Sequence, residues 1–202
     1  MWDEDDSVDA TALAWLRERP GTPVEGIGIV TRIWRLAHLF GEDRRRVLAE
    51  AGEDAATLDL LSVLRRAGPP YQLTTRQLTE QTRVTAGAIS QRVARAERAG
   101  LVSRAPDADR ASRAVLVTLT PAGHALVERL VDQVLGREAD LVAGLSAAER
   151  AALTGLLKTL LDDLSSRLGP QRHSQVGASL SSRPPPRASA SLSSRPPPRA
   201  SA

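Results

Sequence analysis

The chain has 202 residues, 42% apolar but only 2% aromatic, which suits one ordinary domain plus tails around a core of Leu, Val, Ile and Ala. It has no cysteine, which excludes a disulfide framework, a Cys-based zinc site and thiol chemistry. The net charge is +3, yet five arginines and no acid lie from Pro170 onward, so the remainder carries −2 and the placement of charge matters more than its total.

Taken from the start, MWDEDDSVD is acidic, the reverse of a secretory signal, and residues 1–10 read as a flexible acidic segment. No apolar run approaches the roughly 18 residues needed to span a bilayer. A cytoplasmic location with no membrane partner is the expectation. Residues 11–73 read as helical. Val24, Ile27, Val30, Ile33, Trp34, Ala37 and Phe40 fall near helical spacing, with Gly41 as a stop. A second helix is expected from about Glu53 to Ala67, carrying Leu58, Leu61 and Leu64 and ended by Gly68-Pro69-Pro70.

The next stretch holds the most specific pattern. A short helix around Arg76–Gln81 is followed by Arg83 and Val84, and Thr85 then supplies a hydroxyl suited to capping a second helix. That helix ends at Gly100, the residue type that closes helices in the left-handed conformation. Two β-like runs follow, Leu101–Arg104 and Val115–Leu119, separated by the polar turn PDADRAS. Helix, turn, helix and a two-stranded wing is the order of a winged helix-turn-helix. At about 100° per residue, Thr85, Ile89, Val93 and Ala96 share the core side of the second helix. Gly87, Gln91, Ala94, Arg95 and Arg98 point away, with Ser90 on the flank. Small residues permit close approach, Arg can make a bidentate contact to guanine, and Gln to adenine. Between Thr74 and Thr120 there are eight arginines against four acids, the excess that phosphate binding requires. The competing reading is a solvated helix face that happens to hold arginine; the caps, turn and wing in the required order weigh against it.

Two more helices are expected. Thr120-Pro121 is a cap with proline in the first turn, from which Leu126, Leu130, Val134 and Leu141 form a stripe toward Gly144. Ser146-Ala147-Ala148-Glu149 is a capping box opening a helix with Leu153, Leu156, Leu157, Leu160, Leu161 and Leu164. These helices are too apolar to stand alone beside so small a reading unit, and packing against a second copy is the expectation; the alternative is that the stripes are internal core. Residues 169–202 contain ASLSSRPPPRAS twice in tandem, at 178–189 and 190–201. Such a repeat cannot bury a core and reads as a disordered tail of polyproline character, most simply a spacer.

The residues AISQRVARAERAGLVSR followed by DADRASRAVLVTLTPAG resemble the MarR family of bacterial transcription regulators. The family's wing reads roughly DxR, a few residues, then VxLTxxG; here Asp109-Arg110 and Arg113 precede Val117-Thr118-Leu119-Thr120 and Gly123. The resemblance covers about residues 11–168. It implies a mainly α fold with a small β wing: a winged helix-turn-helix at about 54–120 and dimerisation helices at about 11–50 and 121–168. WLRERP, TLDLLSVLRRAGPPY and TAGAIS further resemble the PecS type of the family, which responds to urate or related anions. By motif, its ligand residues correspond to Trp15, Asp59 and Arg92. The Asn that this type carries about two turns after the Asp is replaced here by Ala67. Independently, Arg92 falls about 60° from the core direction of its helix, where it calls for an acidic partner such as Asp59.

An enzyme is not indicated. His38, His124 and His173 are far apart, His38 reads as a helix-packing residue, and no P-loop, GxSxG or dinucleotide fingerprint is present. No metal or cofactor is expected. The sequence therefore points to a homodimeric, DNA-binding repressor on a pseudo-palindromic operator, with a small anionic or aromatic effector. Ser90, Gln91 and Arg95 would read bases, Thr85 and Gly87 belong to the same DNA-binding set, and Arg98, Arg110 and Arg113 would hold phosphate or the minor groove. The alternative is an architectural or protein-docking winged-helix protein without operator specificity.

Overall fold

The computed structural model describes residues 3, 5–106 and 114–169. Among these residues, seven helices and three strands run in the order α1 (Ser7–Glu18), α2 (Ile27–Glu50), α3 (Ala55–Arg66), β1 (Gln72–Thr74), α4 (Thr75–Thr82), α5 (Ala86–Arg98), β2 (Val102–Pro106), β3 (Val115–Leu119), α6 (Pro121–Leu141) and α7 (Ala147–Leu168). No helix among the described residues is long and apolar enough to cross a membrane.

The acidic start is not wholly loose. Asp6 caps α1 by accepting hydrogen bonds from the Val8 and Asp9 backbone N–H groups, Val8 and Asp9 are buried, and Arg32 pairs with both Asp6 (3.0 Å) and Asp9 (2.9 Å). The acids at the start serve as a cap and as anchors to α2. Helix α2 also departs from expectation, running through Gly41 to Glu50. An interior glycine costs only about 1 kcal/mol relative to alanine. Ion pairs from Asp43 and Glu50 to Arg46 and from Arg137 to Asp43, together with the burial of Leu48, favour continuation. The left-handed turn falls at Gly52 instead (φ +75).

One core holds the central unit together. Leu58, Leu61 and Leu64 from α3, Leu78 from α4, and Ile89, Val93 and Ala96 from α5 meet Val102, Val117 and Leu119 of the sheet and Leu126, Val127 and Leu130 of α6. The sheet is antiparallel in the order β1-β3-β2, with Leu73 and Arg104 both opposite Val117. Strand β1 is a third strand beyond the two-stranded wing read from sequence. Caps fix the helix starts. Thr74 and Ser146 each form a capping box, with Gln77 and Glu149, while Thr85 and Thr120 cap α5 and α6. Arg83, at φ +54, makes the left-handed turn between α4 and α5. Gly123 is required for a different reason: a methyl there would lie 2.0 Å from the Leu101 carbonyl oxygen, so the first turn of α6 can seat on the wing only without a side chain.

The helical frame is packed differently. Helix α1 lies on α2, and α7 buries no residue at all. Trp34 is 66% exposed and Leu156 70%, and Ile29, Leu39, Phe40, Leu153 and Leu161 are exposed with them.

Candidate nucleic-acid interface and ligand pocket

Helix α5 is anchored by one side and free on the other. Ile89, Val93 and Ala96 are buried, whereas Thr85, Gly87, Ser90, Gln91, Arg95 and Arg98 are all exposed. Thr85 differs from its expected core orientation because its hydroxyl accepts from the Ala88 N–H (3.2 Å), which holds it at the surface as a cap. A methyl at Gly87 would meet nothing within 4 Å, so the fold itself does not require that glycine; its absence of side chain leaves the first turn of α5 open to close approach. Glu97 accepts from Arg104, tying α5 to the wing strand β2. Arg110 and Arg113 lie outside the described residues.

Arg95 is not simply extended into solvent. Its guanidinium makes a two-pronged contact with Asp54, Nη1 to Oδ2 at 2.9 Å and Nη2 to Oδ1 at 3.1 Å. Asp54 is also the N-cap of α3, accepting from the Thr57 N–H at 2.8 Å. Partial burial works against its charge, but the Thr57 backbone and hydroxyl and Arg95 outweigh that and hold the carboxyl below its ordinary value.

Behind α5 lies a second cluster. Asp59 of α3 faces Arg92 of α5 and Arg44 of α2, each at 3.9 Å. These separations allow charge attraction but exceed hydrogen-bonding range. Burial pushes the Asp59 carboxyl above its ordinary value, against the pull of the Arg44, Arg92 and Arg66 guanidinium groups. Arg44 Nε and Arg92 Nη1 are buried with no hydrogen-bond acceptor. Two cations that each carry a buried donor without an acceptor are a donor set that suits an added oxyanion. Arg44 also reaches Glu138 of α6 (3.3 Å) and, with Glu138, edges a hollow of about 520 Å³ lined by apolar groups including Leu36, Phe40, Val134 and Leu157.

The structure thus brings Asp59 and Arg92 together, but Trp15 stands apart. Helix α1 runs antiparallel to α2, with Ser7 at Arg35 and Asp9 at Arg32. Trp15 is therefore level with the start of α2, on the order of 20 Å along that helix from Arg44. It is 52% exposed, beside Ala10, Thr11, Ala14 and Glu18. Arg44 was not legible as a site residue: once α2 is ended at Gly41, nothing tells which of Arg44, Arg45 and Arg46 faces inward. With the helix continued, Phe40, Arg44 and Val47 fall at helical spacing on the hollow's wall. His38, expected in packing, is exposed and lies 3.3 Å from Glu42, and His124 sits edge-on against Tyr71, 4.5 Å between ring centres.

Residues 54–111 match the MarR family. The HTH-type transcriptional regulator PecS of Dickeya dadantii is 31% identical over 71% of this chain and 86% of its own. The chain belongs to the MarR family of transcriptional regulators. Among solved members, a mutant MarR from E. coli complexed with operator DNA superposes with a TM-score of 0.54 at 29% identity, covering 68% of this chain and 98% of its own. BpsR of Bordetella bronchiseptica, whose DNA binding is regulated by 6-hydroxynicotinic acid, superposes with a TM-score of 0.55 at 26% identity, covering 70% and 98%. The MarR-family match spans α3, β1, α4, α5 and β2, so the exposed face of α5 and both Asp59 and Arg92 fall inside it.

Proposed function

We propose that the chain is a homodimeric repressor that reads a pseudo-palindromic operator with α5 and is released by a small anionic or aromatic ligand. One observation carries this reading: α5 is capped and anchored by its core side, and it exposes Gly87, Ser90, Gln91, Arg95 and Arg98 as one polar, close-approach face. Gln91, Arg95 and Ser90 would then read base edges, with Thr85 and Gly87 at the approach to the groove and Arg98 on phosphate. Arg110 and Arg113 of the wing would add backbone or minor-groove contacts. Dimerisation through about 11–50 and 121–168 is supported by the apolar surface that α2 and α7 leave uncovered. A two-fold pair would set its recognition helices about one DNA turn apart.

The effector site is assigned to Asp59, Arg92 and Arg44. An aromatic carboxylate or urate-like anion would satisfy the two unmatched guanidinium donors, and an apolar ring would have the adjacent hollow beside it. Because Arg92 lies on α5, an anion competing with Asp59 would bias the position of the recognition helix. Trp15 belongs with the dimer-forming helices in this account. The test is a gel-shift titration on DNA flanking the protein's own gene against random competitor, with and without urate and 6-hydroxynicotinate. Competitor-resistant binding released by either ligand is expected. Specific binding untouched by any aromatic anion would remove the ligand assignment, and no preference for any DNA sequence would remove the repressor.

A further inference from the structure

Helix α3 supplies a carboxylate to each of two successive arginines of α5, and the two pairs are of different kinds. Asp59 faces Arg92 in the interior at 3.9 Å, beyond hydrogen-bonding range. Asp54 grips Arg95 at the surface through two short contacts, and it is itself held in place by its capping hydrogen bond from Thr57. Arg98, one turn further on the same exposed face, makes no ion pair among the described residues.

The geometry of the grip has a consequence for readout. A guanidinium has five N–H donors and two edges that can each make a parallel pair of hydrogen bonds. Asp54 occupies the end edge, using Nη1 and Nη2. The side edge, with Nε–H and the outer N–H of one Nη, is left over. Guanine presents two acceptors, O6 and N7, at the spacing that such an edge matches. An arginine fixed in one plane loses less rotamer freedom on meeting that pair than one swinging freely. A swinging arginine would also reach phosphates on any sequence, which adds affinity without discrimination.

We infer that Asp54 is a positioning residue for sequence readout: it fixes the Arg95 guanidinium so that its remaining edge selects guanine over other bases. This rests on the reading above that the exposed face of α5 meets DNA. Asp54 touches no base in this account; it acts through Arg95.

The test uses the full chain and a duplex selected by it from a random library, compared with a random duplex of equal length. Asp54→Asn removes the charge but keeps a good N-cap, so α3 should remain folded, which a thermal melt checks. In the wild type, replacing one guanine per half-site with 7-deazaguanine, which lacks the N7 acceptor, should weaken binding. Asp54→Asn should reduce the ratio of selected to random affinity roughly two- to fivefold, the range expected for one exposed ion pair. Arg95→Ala should reduce it roughly tenfold or more, and Arg95→Lys, which keeps charge but not the fork, should resemble Arg95→Ala. The double variant should discriminate no worse than Arg95→Ala alone, and neither single variant should retain the full 7-deazaguanine effect. If Asp54→Asn leaves the ratio unchanged, or if the two substitutions act independently and their effects multiply, Asp54 does not act through Arg95. If Arg95→Ala itself leaves the ratio unchanged, or if selection enriches no sequence, the DNA-facing reading of α5 is what fails.

Discussion

Two parts of this chain are built from the same apolar residues and end in opposite states. In the reading unit, the leucines of α3 are buried on every side against α4, α5, the sheet and α6. In the frame, no leucine of α7 is buried and the apolar side of α2 faces outward. Hydrophobic periodicity alone does not distinguish these cases, because it reports that a face wants cover and not where the cover comes from. The reading unit closes its core within one chain, whereas the frame presents a surface suited to a second copy.

Leu61, fully buried in α3, should cost about 2–5 kcal/mol when changed to alanine, read as a lower urea midpoint. The cost should be independent of protein concentration in dilute solution. A similar leucine in the frame should behave otherwise. Leu156→Glu should leave the circular dichroism of the dilute chain unchanged but weaken self-association by roughly a hundredfold, as two copies of the charge would face a desolvated contact. Sedimentation velocity across a concentration series would detect it. Unchanged association would return α7 to the status of a bare helix.

A smaller effect is expected at the seam between α2 and α6. Hydrogen bonds from Arg137 and then Arg46 hold the Asp43 carboxyl below its ordinary value. A carboxylate depressed in the folded state contributes stability that is complete above its unfolded pKa, about 3.9, and is lost as pH falls through the lower folded value. Asp43→Asn should therefore flatten the acid limb of stability below about pH 4 and leave its shape near neutrality unchanged, as measured by urea midpoints at a series of pH values. Asp59 has the opposite sign. Its folded value is raised by burial, so its ionisation works against folding as pH rises from its unfolded toward its folded value.

Much of the reading unit was legible because its signals are local. Thr85 and Gly100 bracket α5, and the 3.6-residue period separates Ile89, Val93 and Ala96 from Gln91 and Arg95 without knowledge of any other element. The capping boxes and Thr120-Pro121 mark helix starts in the same way. What was not legible depends on tertiary contact. Strand β1 is three residues long behind two prolines, and it exists because β3 offers it an edge. Gly41 reads as a stop, yet the ion pairs and core contacts beyond it carry α2 onward. Trp15 matches a motif, but the antiparallel course of α1 on α2 takes it away from Asp59. Arg44 enters the site only when α2 is known to continue, and the Asp54–Arg95 contact joins residues 41 positions apart.

The most direct measurement is a hydroxyl-radical footprint on a duplex selected by the full-length protein, with the stoichiometry of the complex determined on the same DNA. Two chains per duplex, protecting two patches on one face about one helical turn apart, are what a paired frame carrying two reading units predicts. A single protected patch from one chain, or protection that does not exceed that on random DNA, would contradict it.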